Sequence, residues 1–532
     1  MAASSSFLCF SLCLLVLCHG VFAQVGFGGQ SAWQSPRSFA GPRGCRFDRL
    51  DALNPTQRLR FEAGTIEYYD ESNEVLQCAG VSARRTIIEP RGLFLPQFNN
   101  APSLVYITQG RGFKGITFPG CPETFQSFQQ EAEPFIAGTE SQQEAEPFMA
   151  GTEGQFQSQQ RLRDEHQKVH RFRQGDIIAL PAGVSYWCYN DGDIPVVAVQ
   201  VFDISNTANQ LEPRRRNFFL AGRHQSGQWT THEAGQQTSF TGQESFEMGQ
   251  LRDNNILSGF DTRMLAEAFG VNIELARRLQ SQNDQRGEIV FVPQGLRMLR
   301  PLRSQEVQQQ EFEESMQGQE QYRERMQGQE QYNGESMEGQ LNITTNGLDE
   351  AFCTMKITSN IDKPSRADYF NKRVGRVARV DSQKLPILNL VQMSATRVVL
   401  QRNAMITPYW SMNCHCGMYV TGGQGRVQVV NHQGRTVFDG LVRQGQFLLI
   451  PQNFAVLKRA ESEGFHWVTF NTNQNAMINQ IAGKFSTFRA MPLQVLMNSY
   501  RLSIEQARRL KFSRRDEFTL FRPTTARMIR DQ

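Results

Sequence analysis

The chain has 532 residues, of which 39% are hydrophobic, and a formal net charge of +4. That length exceeds what one core serves, so two domains are the default, and no run after the N-terminal segment approaches the twenty apolar residues of a membrane span. From Gly347 onward there are 26 Lys+Arg against 12 Asp+Glu, a charge of +14 that leaves −10 upstream. The basic residues are dispersed among strand patterns and an acidic half is present to meet them, which points to self-association and away from nucleic acid.

Residues 7–18 are nearly all apolar, and Val21-Phe22-Ala23 has the small-residue character of a signal-peptidase site, so 1–23 reads as a signal peptide cleaved between Ala23 and Gln24. Cleavage removes three cysteines and leaves Cys45, Cys78, Cys121, Cys188, Cys353, Cys414 and Cys416, an odd set whose pairing spacing alone does not give. Residues 24–44 are Gly/Ser-rich and read as a flexible segment. Ile66–Tyr69, Thr86–Ile88, Leu104–Ile107, Ile177–Leu180 and Val196–Val201 are short apolar runs between turn residues, the pattern of a β-sandwich or barrel. Residues 122–165 form a polar insert in which Gln129-Gln130-Glu131-Ala132-Glu133-Pro134-Phe135 recurs thirteen positions on; it cannot support a core and reads as disordered. Over 254–285 the period becomes helical, with Leu257, Phe260, Met264, Leu265, Ala268 and Phe269 on one face and Asn272 placed to cap a second helix through Ile273, Ala276 and Leu279. Gly287–Leu299 returns to strand. Residues 301–346 are a low-complexity, Gln/Glu-rich disordered hinge, and 347–532 repeat the strand-then-helix order.

The chain is written twice. Arg173-Gln174-Gly175-Asp176 before Pro181 matches Arg443-Gln444-Gly445-Gln446 before Pro451 at an offset of 270, which still holds at Asn209-Gln210-Leu211 against Asn479-Gln480-Ile481. Leu104–Gly110 matches Gly417–Gly423 at an offset of 313, the difference being the insert in the first copy. Ile273–Leu279 matches Ile504–Leu510. The predicted fold is mainly β: two tandem antiparallel barrels, each followed by a helical module, with the first copy spanning 45–300.

Gly175-Asp176-x4-Pro181-x-Gly183-x2-Tyr186-x3-Asn190 resembles the second signature of the cupin superfamily, a small jelly-roll β-barrel. In metal-dependent cupins the Tyr186 position is a histidine, joined by a His-x-His and a Glu. Here the first copy has Tyr186, the second has Val456, and Asn453 replaces the turn glycine. Cys414-His415-Cys416 does not make a zinc site, because neighbours on a strand alternate faces and at most the two thiols point inward together. His166 and His170 stand at helical spacing in a charged stretch and read as a solvated face. No catalytic triad or phosphate loop is present.

Asn346-Gly347-Leu348-Asp349-Glu350-Ala351-Phe352-Cys353 narrows the resemblance. It is very similar to the maturation site of legumin-type (11S) seed storage globulins, as are Pro119–Thr124, Trp187-Cys188-Tyr189-Asn190 and Arg489–Gln494. The resemblance implies a non-enzymatic nutrient store without cofactor. It implies cleavage between Asn346 and Gly347 by an asparaginyl endopeptidase, and disulfides Cys45–Cys78 and Cys121–Cys353. It also implies self-assembly into trimers and then hexamers, in a route from the endoplasmic reticulum to protein storage vacuoles. Asn342-Ile343-Thr344 is an N-glycosylation sequon four residues before the cut. The alternatives are a metal-dependent bicupin oxidase or decarboxylase, and a small-ligand-binding cupin.

Overall fold

The computed structural model describes residues 45–118, 121, 169–211, 214–222, 255–280, 286–296, 355–514 and 520–523. The signal-cleavage pair Ala23 and Gln24, the 24–44 segment, the 122–165 insert with His166, the 301–346 hinge with Asn342, and Asn346, Gly347 and Cys353 lie outside these residues.

The first copy is built from β1 (Pro55–Phe61), β2 (Gly64–Tyr69), β3 (Val81–Ile88), β4 (Gly92–Asn99), β5 (Ser103–Gln109), β6 (Arg111–Thr117), β7 (His170–Arg173), β8 (Asp176–Leu180), β9 (Ser185–Tyr189) and β10 (Val196–Asp203), with β11 (Asn217–Phe219) and β12 (Ile289–Phe291) added later in the chain. One sheet runs β1-β2-β3-β10-β5-β8; the other runs β11-β4-β9-β6-β7, with β12 also on β4. Alternating apolar positions of both sheets meet inside, as in Ile66, Ile88, Phe94, Ile116 and Val196, each at most 4% exposed. The sequence signature makes the β7–β8 corner: Gly175 sits at φ 88° and the Asp176 carboxylate accepts the Arg173 amide at 2.8 Å. In the second copy Gly445 repeats that conformation at φ 86°, and Asn453, in place of the turn glycine, adopts φ 65°. Asparagine is among the few side chains that enter the left-handed region routinely.

The second copy comprises β13 (Thr358–Asn360), β14 (Tyr369–Asn371), β15 (Gly375–Val380), β16 (Ser394–Leu400), β17 (Met405–Ser411), β18 (Cys416–Val430), β19 (Thr436–Arg443), β20 (Phe447–Ile450), β21 (Ala455–Asn471), β22 (Ile478–Gln480) and β23 (Leu520–Phe521). Here β18 and β21 are long enough to run through both faces of the barrel, and their ladder is broken by irregularities at Val420/Gly422 and Gly423/Gly425. A Cβ on Gly423 would stand 2.2 Å from the Gly464 carbonyl oxygen, so only glycine permits this bend. The sequence offsets hold where Tyr106 faces Ile177 and Tyr419 faces Phe447. They slip by one residue against β10 and β21, where Tyr106 faces Val199 and Tyr419 faces Val468, because the bulges fall at different places in the two copies.

The two copies exchange segments. Strand β13 lies beyond the hinge in sequence yet pairs with β8 and extends the first copy's sheet. In return, residues 45–53 strap the second barrel: Leu50 N–H donates to Val437 O at 2.9 Å, and Leu53 and Phe447 exchange both backbone hydrogen bonds at 2.8 and 2.9 Å. A continuous apolar cluster therefore crosses between copies, joining Ile177 and Tyr106 to Leu388, Val391, Met393 and Phe470. Leu388, Val391 and Met393 are fully buried, each contributing roughly 1.5–3 kcal/mol.

The helical modules are α2 (Thr262–Phe269) with α3 (Ile273–Leu279), and α5 (Thr487–Ala490), α6 (Leu493–Tyr500) and α7 (Ile504–Phe512); α1 (Glu74–Ala79) and α4 (Leu388–Val391) belong to the barrels. Asn272 caps α3, its side chain accepting the Leu275 amide at 2.8 Å. Two expectations are corrected. The apolar stripe from Leu257 to Phe269 is a 3-10 turn followed by a helix capped by Asp261, and only Leu265 of its named residues is buried, whereas Phe260, Met264 and Phe269 are exposed. Strand after Gly287 is confined among the described residues to β12, because Pro293 cannot donate to a ladder. His170 begins β7, and His166 lies outside the described residues.

Candidate functional site

In the first barrel Tyr186, at the position where a metal-binding cupin has histidine, points its hydroxyl into the interior. There it accepts hydrogen bonds from Arg84 Nη2 at 2.8 Å and Asn99 Nδ2 at 3.0 Å. Arg84 is 1% exposed and also donates from Nε to Gln200 Oε1 at 3.0 Å, while Gln200 Nε2 donates to Ser103 Oγ at 2.9 Å. Its guanidinium lies over the rings of Phe94 and Phe202, 5.5 Å from each centroid. Burial opposes its charge, but the facing Tyr186, Tyr68 and Glu288 hold its pKa above the ordinary arginine value. A fixed organic cation thus occupies the interior, and the remaining cavity of about 60 Å3 is lined mainly by apolar groups such as Ile88, Ile107, Ile178 and Leu180. This donor set does not fit a family-type metal ion: the cavity lining offers the cations Arg84 and Lys114, the Cys188 thiol and neutral hydroxyl and amide groups, and no imidazole or carboxylate.

In the second barrel Val456 is buried at the histidine position. The larger cavity, about 330 Å3, is lined by Thr396, Tyr409, Ser411, Cys416, Trp467 and Asn471 among others. Among the described residues no three His, Cys, Asp or Glu side chains are grouped to hold a metal ion. His415 turns away from its flanking cysteines, its Nδ1 accepting the Gln452 amide at 3.2 Å beside Phe47. Cys414 and Cys416 are both buried, as the alternation of faces requires, and their sulfurs are 4.0 Å apart.

Each barrel also holds a buried lysine that motif reasoning does not single out. Lys114 faces Cys188 across the β6–β9 ladder. On the matching rung of β18–β21 the pair is Val427 and Lys458, so the cation has crossed to the other strand. Lys114 donates to Thr358 Oγ1 at 2.6 Å; Lys458 donates to the Tyr409 hydroxyl at 2.9 Å and sits 4.8 Å from the Trp467 ring centroid. Burial pushes both ammonium groups down to about 8, and Cys188 up to about 12. The signal was present in the text as lone basic residues at inward positions of otherwise apolar strands.

The lysine shifts fix a pH dependence. Between about 8 in the folded chain and 10.5 unfolded, the unfolded state binds a proton that the folded state has released, so stability rises with pH across that window. Below it the full penalty applies, about 3 kcal/mol for Lys458. Lys458→Met is therefore expected to raise stability at pH 7 by about 2 kcal/mol, after about 1 kcal/mol of lost cation–π attraction to Trp467. Thermal unfolding of variant and parent at pH 7 and pH 10 checks this; a gain independent of pH would remove the explanation.

A disulfide joins Cys45 to Cys78 and ties the strap to α1. Cys121 is also disulfide-bonded, and Cys188, Cys414 and Cys416 are not.

The cupin family model matches residues 50–226 and 359–508, one match for each barrel. Glutelin type-A 2 of Oryza sativa subsp. japonica is 49% identical over 524 residues, 98% of this chain and 96% of that one. Cocosin 1 of Cocos nucifera is 49% identical over 521 residues, 98% of both. The chain belongs to the legumin-type seed storage globulins of the cupin family. The crystal structure of the coconut allergen cocosin superposes with a TM-score of 0.68 at 46% identity, covering 90% of this chain and all of that one. The globulin is accordingly a non-enzymatic seed storage protein, and its two barrels keep the cupin scaffold with Tyr186 and Val456 where the family's metal-binding members place histidine.

Proposed function

We propose that this globulin is a nitrogen reserve made as one chain and then cut between Asn346 and Gly347 by an asparaginyl endopeptidase. The products are an acidic chain (24–346) and a basic chain (347–532) joined by Cys121–Cys353. Glutamine supplies 55 of the residues, so each chain hydrolysed releases side-chain as well as backbone nitrogen. The signal peptide directs it through the endoplasmic reticulum to the protein storage vacuole. The observation that carries this reading is the reciprocal exchange across the hinge: β13 sits in the first copy's sheet and the 45–53 strap on the second barrel. A cut between them leaves the fold interlocked.

Self-assembly has its own support. Met264, Phe269 and Ile273 on one helical module, and Tyr500, Ile504 and Leu510 on the other, are 43–70% exposed. Two unlike apolar faces on one chain suit a head-to-tail ring that closes as a trimer, and the opposite charges of the two chains suit salt-dependent stacking of trimers into hexamers.

Treatment of the purified globulin with asparaginyl endopeptidase is expected to give one band on a denaturing gel without reductant and two with it. Asn346→Gln should stay whole under both conditions, and Cys121→Ser should separate without reductant. Cleavage of the Asn346→Gln variant to the same two bands would refute the assignment of the site.

A further inference from the structure

We propose that Cys414 and Cys416 form a binding site for a soft monovalent ion, copper(I), inside the second barrel. The inference is independent of the processing scheme above. Both side chains are buried, neither is in a disulfide, and their sulfurs stand 4.0 Å apart. With metal–sulfur bonds of about 2.3 Å, that separation subtends about 120° at a bridging ion, the angle of trigonal coordination. Cys416 lines the cavity of about 330 Å3, which leaves room for a small third donor. The Ser411 hydroxyl, 2.9 Å from the Cys414 sulfur, holds that thiol in place.

The choice of ion follows from what surrounds the pair. No carboxylate or imidazole lines the cavity, and no group of three His, Cys, Asp or Glu exists among the described residues. A structural zinc ion needs four protein ligands and a magnesium or calcium ion needs oxygen donors, whereas soft thiolates in low coordination number select copper(I). Two thiolates and one monovalent cation leave a single negative charge. The ammonium of Lys458, on the neighbouring strand β21, offsets it: Cys416 and Lys458 feel each other's charge, and Lys458 also reaches the Tyr409 hydroxyl at 2.9 Å. Binding releases the thiol protons to solvent and involves no change of oxidation state.

The test uses the full chain, reduced and kept free of oxygen, titrated with copper(I) presented as its bicinchoninate complex. Withdrawal of one copper(I) per chain, seen as loss of the complex's visible absorbance, is expected. Cys414→Ser and Cys416→Ser should each weaken uptake by at least about 100-fold, since either change removes half of the soft donor set. Cys188→Ser should titrate like the parent. Serine variants that bind as the parent does would overturn the proposal, as would uptake abolished by Cys188→Ser. If the serine variants do not fold, X-ray absorption at the copper edge of the loaded parent decides: sulfur neighbours support the site, and nitrogen or oxygen neighbours alone overturn it.

Discussion

Arg84→Met is expected to destabilise the globulin by about 3 kcal/mol. The guanidinium satisfies Tyr186 and Gln200 at once and lies between the rings of Phe94 and Phe202. Methionine fills much of the volume but leaves Gln200 Oε1 without its donor and removes the charge that faces buried Glu288. Arg84→Lys should recover only part of the loss, because an ammonium lacks the planar fork that spans both acceptors. Replacing the partners together, as Arg84→Met with Gln200→Leu and Tyr186→Phe, should recover more than either single step, since no orphaned acceptor then remains on Gln200 or Tyr186. Urea unfolding at fixed protein concentration, followed by tryptophan fluorescence, measures each value. An Arg84→Met variant as stable as the parent would show that the buried cation contributes nothing net.

The second large effect concerns the cut protein. After cleavage at Asn346 and reduction, the acidic and basic chains are expected to elute together as one species in native buffer and to separate only in denaturant. Side-chain hydrogen bonds are among the cross-connections that hold them. Tyr106 donates to Asp362 Oδ2 at 2.8 Å while Arg397 donates to Asp362 Oδ1 at 2.7 Å; Asn360 Nδ2 donates to Asp176 Oδ1 at 2.8 Å; and Tyr69 donates to Gly445 O at 2.7 Å. Around them the apolar cluster shared by both copies excludes water, so these bonds are worth more than surface pairs. Leu50, 3% exposed in the core of the second barrel, is the strap's anchor. Leu50→Asp puts a carboxylate there at a cost of several kcal/mol, so the reduced, cut variant should come apart at a urea concentration on the order of 1–2 M lower than the parent. Coincident dissociation of parent and variant would show that the strap does not hold the chains.

Much of this was legible in the text. The 270 offset and the Gly175 and Gly445 corners are local, so a repeat of spacing carried them directly into structure. Asn272 was readable as a cap because capping depends on residues three apart. The absence of histidine at Tyr186 and Val456 could be read off the same alignment. The apolar stripe of the first helical module was read as one helical face, and the Asp261 cap divides it into a 3-10 turn and a helix. Its periodicity reports a face that needs covering but not what covers it, and within one chain that face remains exposed.

The sequence by itself determined the two β-barrels, their duplication, and the histidines they lack, since all of these rest on side-chain period and turn chemistry within a few residues. Only the tertiary structure decided that β13 and the 45–53 strap cross between copies, that Arg84 closes one interior, and that two thiols meet at 4.0 Å in the other. Those outcomes depend on which strands pair across a hundred residues or more, or on which faces converge inside a barrel. Chain period names the inward face of a strand; only packing says what that face meets.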